Sequence, residues 1–192
     1  NHYYYQDRKF KIKLNTKNVY SKGMFENVCL AIKVALDLNI DKKVIQKALP
    51  LLSFEGRFQY LNKGKIKNKL NRNEFIMIDG AHATADAQNL ASYLRKIKIP
   101  KYGIWAMTKN KDPDLFIKQL KGVFKKIITM PIDNEVNSVS AQELYKVATE
   151  NKFNVEKSDN FAQALKKISS KEKKLIVCFG SLYNCGNILN KN

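Results

Sequence analysis

From Phe75 to the end of the chain, short apolar runs alternate with segments whose apolar residues recur every three or four positions. The runs are Phe75-Ile76-Met77-Ile78, Tyr102-Gly103-Ile104-Trp105-Ala106-Met107, Lys126-Ile127-Ile128-Thr129-Met130, Phe153-Asn154-Val155 and Leu175-Ile176-Val177-Cys178-Phe179. Their length and spacing predict strands, and each is followed by a helix signal. Thr84 precedes Ala87, Leu90, Ala91 and Leu94, and Asp112-Pro113 sets an N-cap before a proline at the first helical position. Ser140-Ala141-Gln142-Glu143 is a capping box, and Asp159-Asn160 leads into Phe161, Ala164, Leu165 and Ile168. Strands and helices in strict alternation imply an α/β fold, a Rossmann-like, doubly wound and mostly parallel sheet covered on both faces.

The first fifty residues follow another pattern. Lys9-Phe10-Lys11-Ile12-Lys13-Leu14 alternates polar and apolar as one extended strand, and two helices follow. The first, from about Met24 to Leu38, confines Glu26, Lys33 and Asp37 to a narrow stripe, so most of its circumference is expected to be covered by protein. The second starts at the N-cap Asp41, stops before Pro50 and turns Val44, Ile45, Ala48 and Leu49 inward. A lone strand and two helices do not make a sheet domain. Residues 1–53 are therefore expected to be the tail of another domain, and 54–192 a domain of their own.

Composition narrows the possibilities. The 192 residues are 44% hydrophobic, enough for a sizeable core. No segment has the roughly 20 apolar residues of a membrane span, and Asn1-His2-Tyr3-Tyr4-Tyr5 carries neither an initiator Met nor a signal-type core. The expectation is a cytoplasmic, monomeric protein whose natural start lies upstream of Asn1. Cys29, Cys178 and Cys185 lack metal-ligand spacing and read as small core residues. The formal net charge of +18 raises nucleic-acid binding. The lysines are dispersed, however, and the densest patch, Lys63 to Arg72, alternates with Ile66 and Leu70 like a charged edge hairpin, so nucleic acid stays the minor reading.

In a doubly wound sheet, ligands bind beyond the carboxyl ends of the strands. Three polar turns fall there: Asp79-Gly80-Ala81-His82, Thr108-Lys109-Asn110-Lys111-Asp112 and Gly180-Ser181. Asp79 suits ribose hydroxyls or a helix cap. His82, apart from His2 the chain's one histidine, is a candidate catalytic side chain or a structural one. Ser181 either caps the last helix or, with free backbone N–H groups, receives a carboxylate. Arg57, in Phe54-Glu55-Gly56-Arg57-Phe58, suits a nucleotide or an ion pair with Glu55 or Asp79. Asn27 can match an adenine edge or bond to backbone. No phosphate-binding loop, dinucleotide fingerprint, catalytic triad or acidic metal cluster is present.

The order of these pieces resembles the C-terminal part of folylpolyglutamate/dihydrofolate synthases of the Mur ligase superfamily. The resemblance rests on Phe25-Glu26-Asn27-Val28-Cys29-Leu30-Ala31-Ile32, Glu55-Gly56-Arg57-Phe58, Asp79-Gly80-Ala81-His82, Asn110-Lys111-Asp112 and Gly180-Ser181-Leu182-Tyr183. It implies an ATP- and Mg2+-dependent ligase that activates a folate or dihydropteroate carboxylate as an acyl phosphate and joins L-glutamate to it. Residues 1–53 would be the end of the central ATP-binding domain, and 54–192 the glutamate ligase domain.

By the same resemblance Asn27 contacts adenine, Arg57 the nucleotide near its phosphates and Asp79 the ribose, the three facing one cleft. His82, as the catalytic-loop residue, and Ser181 lie toward glutamate. The phosphate loop and Mg2+ ligands are expected upstream of Asn1, on a P-loop domain that is this chain's partner. One departure stands out: the family continues His-Asn-Pro where this chain has His82-Ala83-Thr84. That puts glutamate positioning in question and leaves two rival readings, a non-catalytic relic and a basic nucleotide- or nucleic-acid-binding module.

Overall fold

The computed structural model describes residues 3–192, so His2 lies outside it. The chain divides after Phe54 into two compact units. In the first, β1 (Tyr4–Gln6) and β2 (Lys11–Lys13) form an antiparallel hairpin with Tyr5 opposite Ile12. Asp7 closes the turn, its carboxylate accepting the N–H groups of Lys9 and Phe10 at 2.8 and 2.7 Å and the Tyr5 hydroxyl at 2.6 Å. The segment expected as a lone strand is thus one arm of a hairpin. Its other arm is three residues of a tyrosine-rich stretch with no strand period of its own.

Helix α1 (Lys22–Asp37) starts at Ser21, whose hydroxyl accepts the Met24 N–H, and α2 (Lys42–Ala48) at Asp41, which accepts the Lys43 N–H. Together with the hairpin they bury Ile12, Leu14, Val28, Ile32, Ile45 and Leu49. The expected covering of most of the circumference of α1 is not supplied by the described residues of this chain. The hairpin and α2 reach one side only, leaving Leu30, Val34 and Leu38 64%, 50% and 69% exposed.

The second unit contains β3 (Gln59–Tyr60), α3 (Lys65–Lys69), β4 (Glu74–Asp79), α4 (Thr84–Arg95), β5 (Lys101–Trp105) and α5 (Pro113–Lys118), followed by β6 (Lys126–Thr129), α6 (Ala141–Glu150), β7 (Val155–Lys157), α7 (Phe161–Ile168), β8 (Lys174–Phe179) and α8 (Leu182–Asn190). One six-stranded sheet runs in the order β3-β4-β8-β5-β6-β7, with β3 antiparallel to β4 and the other pairs parallel. This is the expected α/β architecture. Alternate strand residues face opposite sides. Ile76, Ile78, Ile104, Ile128, Ile176 and Cys178 pack with Phe161 and Ala164 of α7 and with Cys185 and Ile188 of α8. On the other side, Trp105 and Phe179 stack with Phe116 of α5 at centroid distances of 6.2 and 6.1 Å. Among the described residues no helix is long and apolar enough to cross a membrane.

Two local readings change. The Lys63 to Arg72 patch is no hairpin: Ile66 and Leu70 lie four apart, a spacing that suits a helical turn, and α3 buries Ile66. Thr84 is the first residue of α4, and the N-cap position falls to Ala83, with φ −113° and ψ 161° and no side-chain acceptor.

At the amino ends of β4 and β8 sits a buried ion pair. Lys174 and Glu74 are 1% and 0% exposed, with Lys174 Nζ 3.4 Å from Glu74 Oε1. Lys174 also donates to the Ile168 carbonyl and the Ser170 hydroxyl and lies 4.8 Å from the Tyr102 ring centre. Glu74 accepts the N–H groups of Asn71 and Ser170, each at 2.9 Å. Burial pushes the Glu74 carboxyl up, but these amides and the ammonium outweigh it and hold it below the ordinary value.

Candidate functional site at the carboxyl edge of the sheet

In the strand register, Asp79 of β4, Phe179 of β8, Trp105 of β5 and Thr129 of β6 form one row across the sheet. Immediately beyond it lie the turns singled out in the sequence. Apolar strands deliver these turns to one edge, which is where loops and helix N-termini converge in this architecture.

Asp79 is 2% exposed and joins two turns. Its Oδ2 accepts the Phe58 N–H at 2.8 Å and its Oδ1 the Ala81 N–H at 2.8 Å, while Gly80 N–H donates to the Gly56 carbonyl at 2.6 Å. Arg57 is thereby held on the turn next to Asp79. That turn is conformationally unusual, with Gly56 at φ +66° and Phe58 at φ +47°. A non-glycine residue in that region costs on the order of 1 kcal/mol, and the Asp79 bond and the edge-on contact of Phe58 with Tyr93 hold it there. Arg57 makes no ion pair within 4 Å among the described residues. Asn27 belongs to the first unit, where it is exposed on α1 beside a 320 Å³ apolar groove lined by Val28, Ile32, Ile45, Leu49 and Phe54.

Burial raises the Asp79 carboxyl to about 6, against the pull of the two amides and the Arg57 charge. The sign of the consequence is fixed. With a folded-state value above the unfolded one of 3.8, the folded chain binds the proton more tightly. The stability due to the neutral form is therefore complete below that lower value and lost as pH rises through about 6. Relative to Asp79→Asn, which does not titrate, the wild-type chain is expected to lose on the order of 2–3 kcal/mol between pH 4 and pH 7. Urea midpoints of the two proteins at both pH values measure this, and a constant difference would contradict it.

His82 is half-buried, with Nδ1 2.8 Å from the Gly80 carbonyl and 3.9 Å from Asp86. A carbonyl only accepts, so Nδ1 carries the proton of that bond. The Asp86 carboxylate reaches back to the His82 and Ala83 N–H groups at 3.3 and 3.4 Å, partly doing the work of the missing cap. Ser181 is buried at the N-cap of α8, its Oγ accepting the Tyr183 N–H at 3.1 Å. In the remaining turn, Lys109 N–H bonds to the Asn137 carbonyl, and Asp112 caps α5 through the Leu115 N–H.

Gly180 has no freedom to carry a side chain: at φ +107°, a Cβ would lie 2.3 Å from the Ala106 carbonyl oxygen and 3.0 Å from Trp105 Nε1. That indole N–H and Asn184 Nδ2, in the first turn of α8, are buried donors without a partner among the described residues. The sequence singled out neither. Both lie in apolar surroundings, and only the fold brings them to this edge. No group of three or more His, Cys, Asp or Glu side chains that could hold a metal occurs among the described residues.

A mostly parallel sheet with helices on both faces and its polar turns gathered at the carboxyl edge defines the class as a doubly wound α/β domain. More narrowly, residues 62–191 match the dihydrofolate synthetase C-terminal domain, and the chain belongs to that family. No match was found among curated proteins. The fold is shared with Mycobacterium tuberculosis folylpolyglutamate synthase complexed with ADP and AMPPCP, at TM-score 0.78 and 17% identity over 93% of this chain and 42% of that one. E. coli FolC in complex with DHPP and ADP gives 0.75 and 17% over 96% and 42%. Folylpolyglutamate synthase from Thermotoga maritima gives 0.72 and 22% over 99% and 43%. The chain thus spans about two fifths of the length of these structures.

Proposed function

We propose that this chain is the C-terminal part of an ATP-dependent ligase that adds L-glutamate to folate or dihydropteroate through an acyl phosphate. In this reading Asn27, Arg57 and Asp79 contact adenine, the phosphate side and the ribose, while His82 and Ser181 serve glutamate. The observation that carries it is the family match over residues 62–191. Two features of the chain support it: Arg57 and Asp79 occupy adjoining turns at the ligand edge, and the exposed Leu30, Val34 and Leu38 of α1 suit contact with further protein. Magnesium would neutralise phosphate charge during transfer, and the described residues offer no cluster to hold it. Residues 1–53 are read as the end of the domain that supplies both metal and phosphate loop.

The chain alone is expected to release no phosphate from ATP. Joined to the N-terminal remainder of a related synthase, it is expected to incorporate labelled glutamate into dihydropteroate or a folate. Arg57→Ala in the joined protein should raise the KM for ATP about tenfold or more and leave the KM for glutamate level. Turnover by the chain alone, or no incorporation by a joined protein that still binds ATP, would overturn the reading.

The Ala83 departure gives a sharper test. Ala83→Asn restores the carboxamide and should lower the KM for glutamate by about ten- to a hundredfold, corresponding to roughly 1–3 kcal/mol, with ATP affinity unchanged. A glutamate titration at saturating ATP and acceptor checks it, and an unchanged KM would remove this loop from the glutamate site.

A further inference from the structure

A separate concavity of 590 Å³ lies between α3, α7 and the end of α8, within the second unit. Its α3 wall leads into the amino end of β4, whereas Asp79 closes the other end of that strand. The floor is apolar, made by Ile66, Leu70, Phe161 and Leu165, of which Leu70 and Leu165 remain only partly buried. Lys69, Lys166 and Lys191 stand around it, and among the described residues no acidic side chain lines it.

The charges are not equivalent. Lys191 is held by Asp133. Lys69 on α3 and Lys166 on α7 are exposed and take part in no ion pair among the described residues. Two unpaired ammonium groups beside an apolar floor are the complement of a molecule with an apolar body and an anionic head. The volume falls in the range of small-molecule sites, and the concave apolar floor is unlike the open basic stripe that a nucleic-acid backbone follows.

We propose that this groove binds a small anionic amphiphile, an acyl or aryl chain ending in a carboxylate or phosphate. The chain lies on Ile66, Leu70, Phe161 and Leu165, and the head sits between Lys69 and Lys166. Burial of Leu70 and Leu165 supplies the attraction, and the two lysines select the charge.

The test is a titration of the 15N-labelled 192-residue chain with decanoate, decyl phosphate and decanol, followed by amide shifts. Decanoate or decyl phosphate should move signals in residues 65–70 and 161–169 and saturate with a Kd below about 1 mM. The stronger of the two identifies the head group. Decanol should bind at least about tenfold more weakly, and Lys69→Gln with Lys166→Gln should weaken the anions by a similar factor. Both lysines are exposed, so the double variant is expected to keep the wild-type melting temperature; either single variant gives the same comparison should it not. Shifts spread over the whole chain, equal binding of decanol, an unchanged double variant, or a preference for an oligonucleotide at this groove would each overturn the proposal.

Discussion

Lys174→Ala is expected to lower the free energy of unfolding by about 3–5 kcal/mol, because it strands a carboxylate in the interior. Glu74, with no exposed surface, would keep the amides of Asn71 and Ser170 but lose the Lys174 ammonium that faces its carboxylate. The Ile168 carbonyl and the Ser170 hydroxyl would lose a donor at the same time. Lys174→Met isolates the charge from the volume and should cost nearly as much. Adding Glu74→Gln to it should recover part of the loss, since the remaining partner is then neutral. Urea unfolding of the two single variants and the double variant measures the coupling, and a loss below about 1 kcal/mol for Lys174→Ala would show that water reaches the pair.

The second large effect is expected at Gly180, where Gly180→Ala should cost about 3–5 kcal/mol. Part is conformational, from a side chain at φ +107°, and part steric, from a Cβ placed 2.3 Å from the Ala106 carbonyl oxygen. The neighbouring backbone has little room to yield, since the Ala106 N–H is bonded to the Phe179 carbonyl at 3.2 Å. Thermal unfolding of Gly180→Ala against the wild-type chain is the measurement. A change within about 1 kcal/mol would mean that the turn into α8 adapts.

The fold was legible where a strand is buried on both sides. Leu175 to Phe179 and Ile76 to Ile78 announce themselves because water touches neither face, and α5, α6 and α7 open with side-chain caps at Asp112, Ser140 and Asn160. Elements whose conformation is set by a distant partner were not legible. Tyr4–Gln6 is a strand only because Lys11–Lys13 lies beside it, and Gln59–Tyr60 only because Met77 and Ile78 do. In Lys65–Lys69 the same residues satisfy a two-residue and a four-residue period, and the burial of Ile66 decides between them.

The candidate site divides in the same way. Its residues stand out as the first polar groups after apolar strands, so Asp79, His82 and Ser181 could be named. The Asp79 bond to an amide 21 residues earlier has no trace in the local sequence, and neither has the unpartnered donor of Trp105.

The strand order also bears on how the domain is made by the ribosome. β4 and β5 are successive in the chain yet never touch as a pair, because β8 lies between them. In the finished sheet β3 with β4 and β5 with β6 and β7 are joined only through β8, so without it each part has an unpaired edge toward the other. The keystone is the last strand to be synthesised, which makes closure of the core a late event. Until residues 174–179 leave the exit tunnel, the edges of β4 and β5 that β8 will fill are expected to present unpaired backbone groups, the kind of surface that chaperones shield.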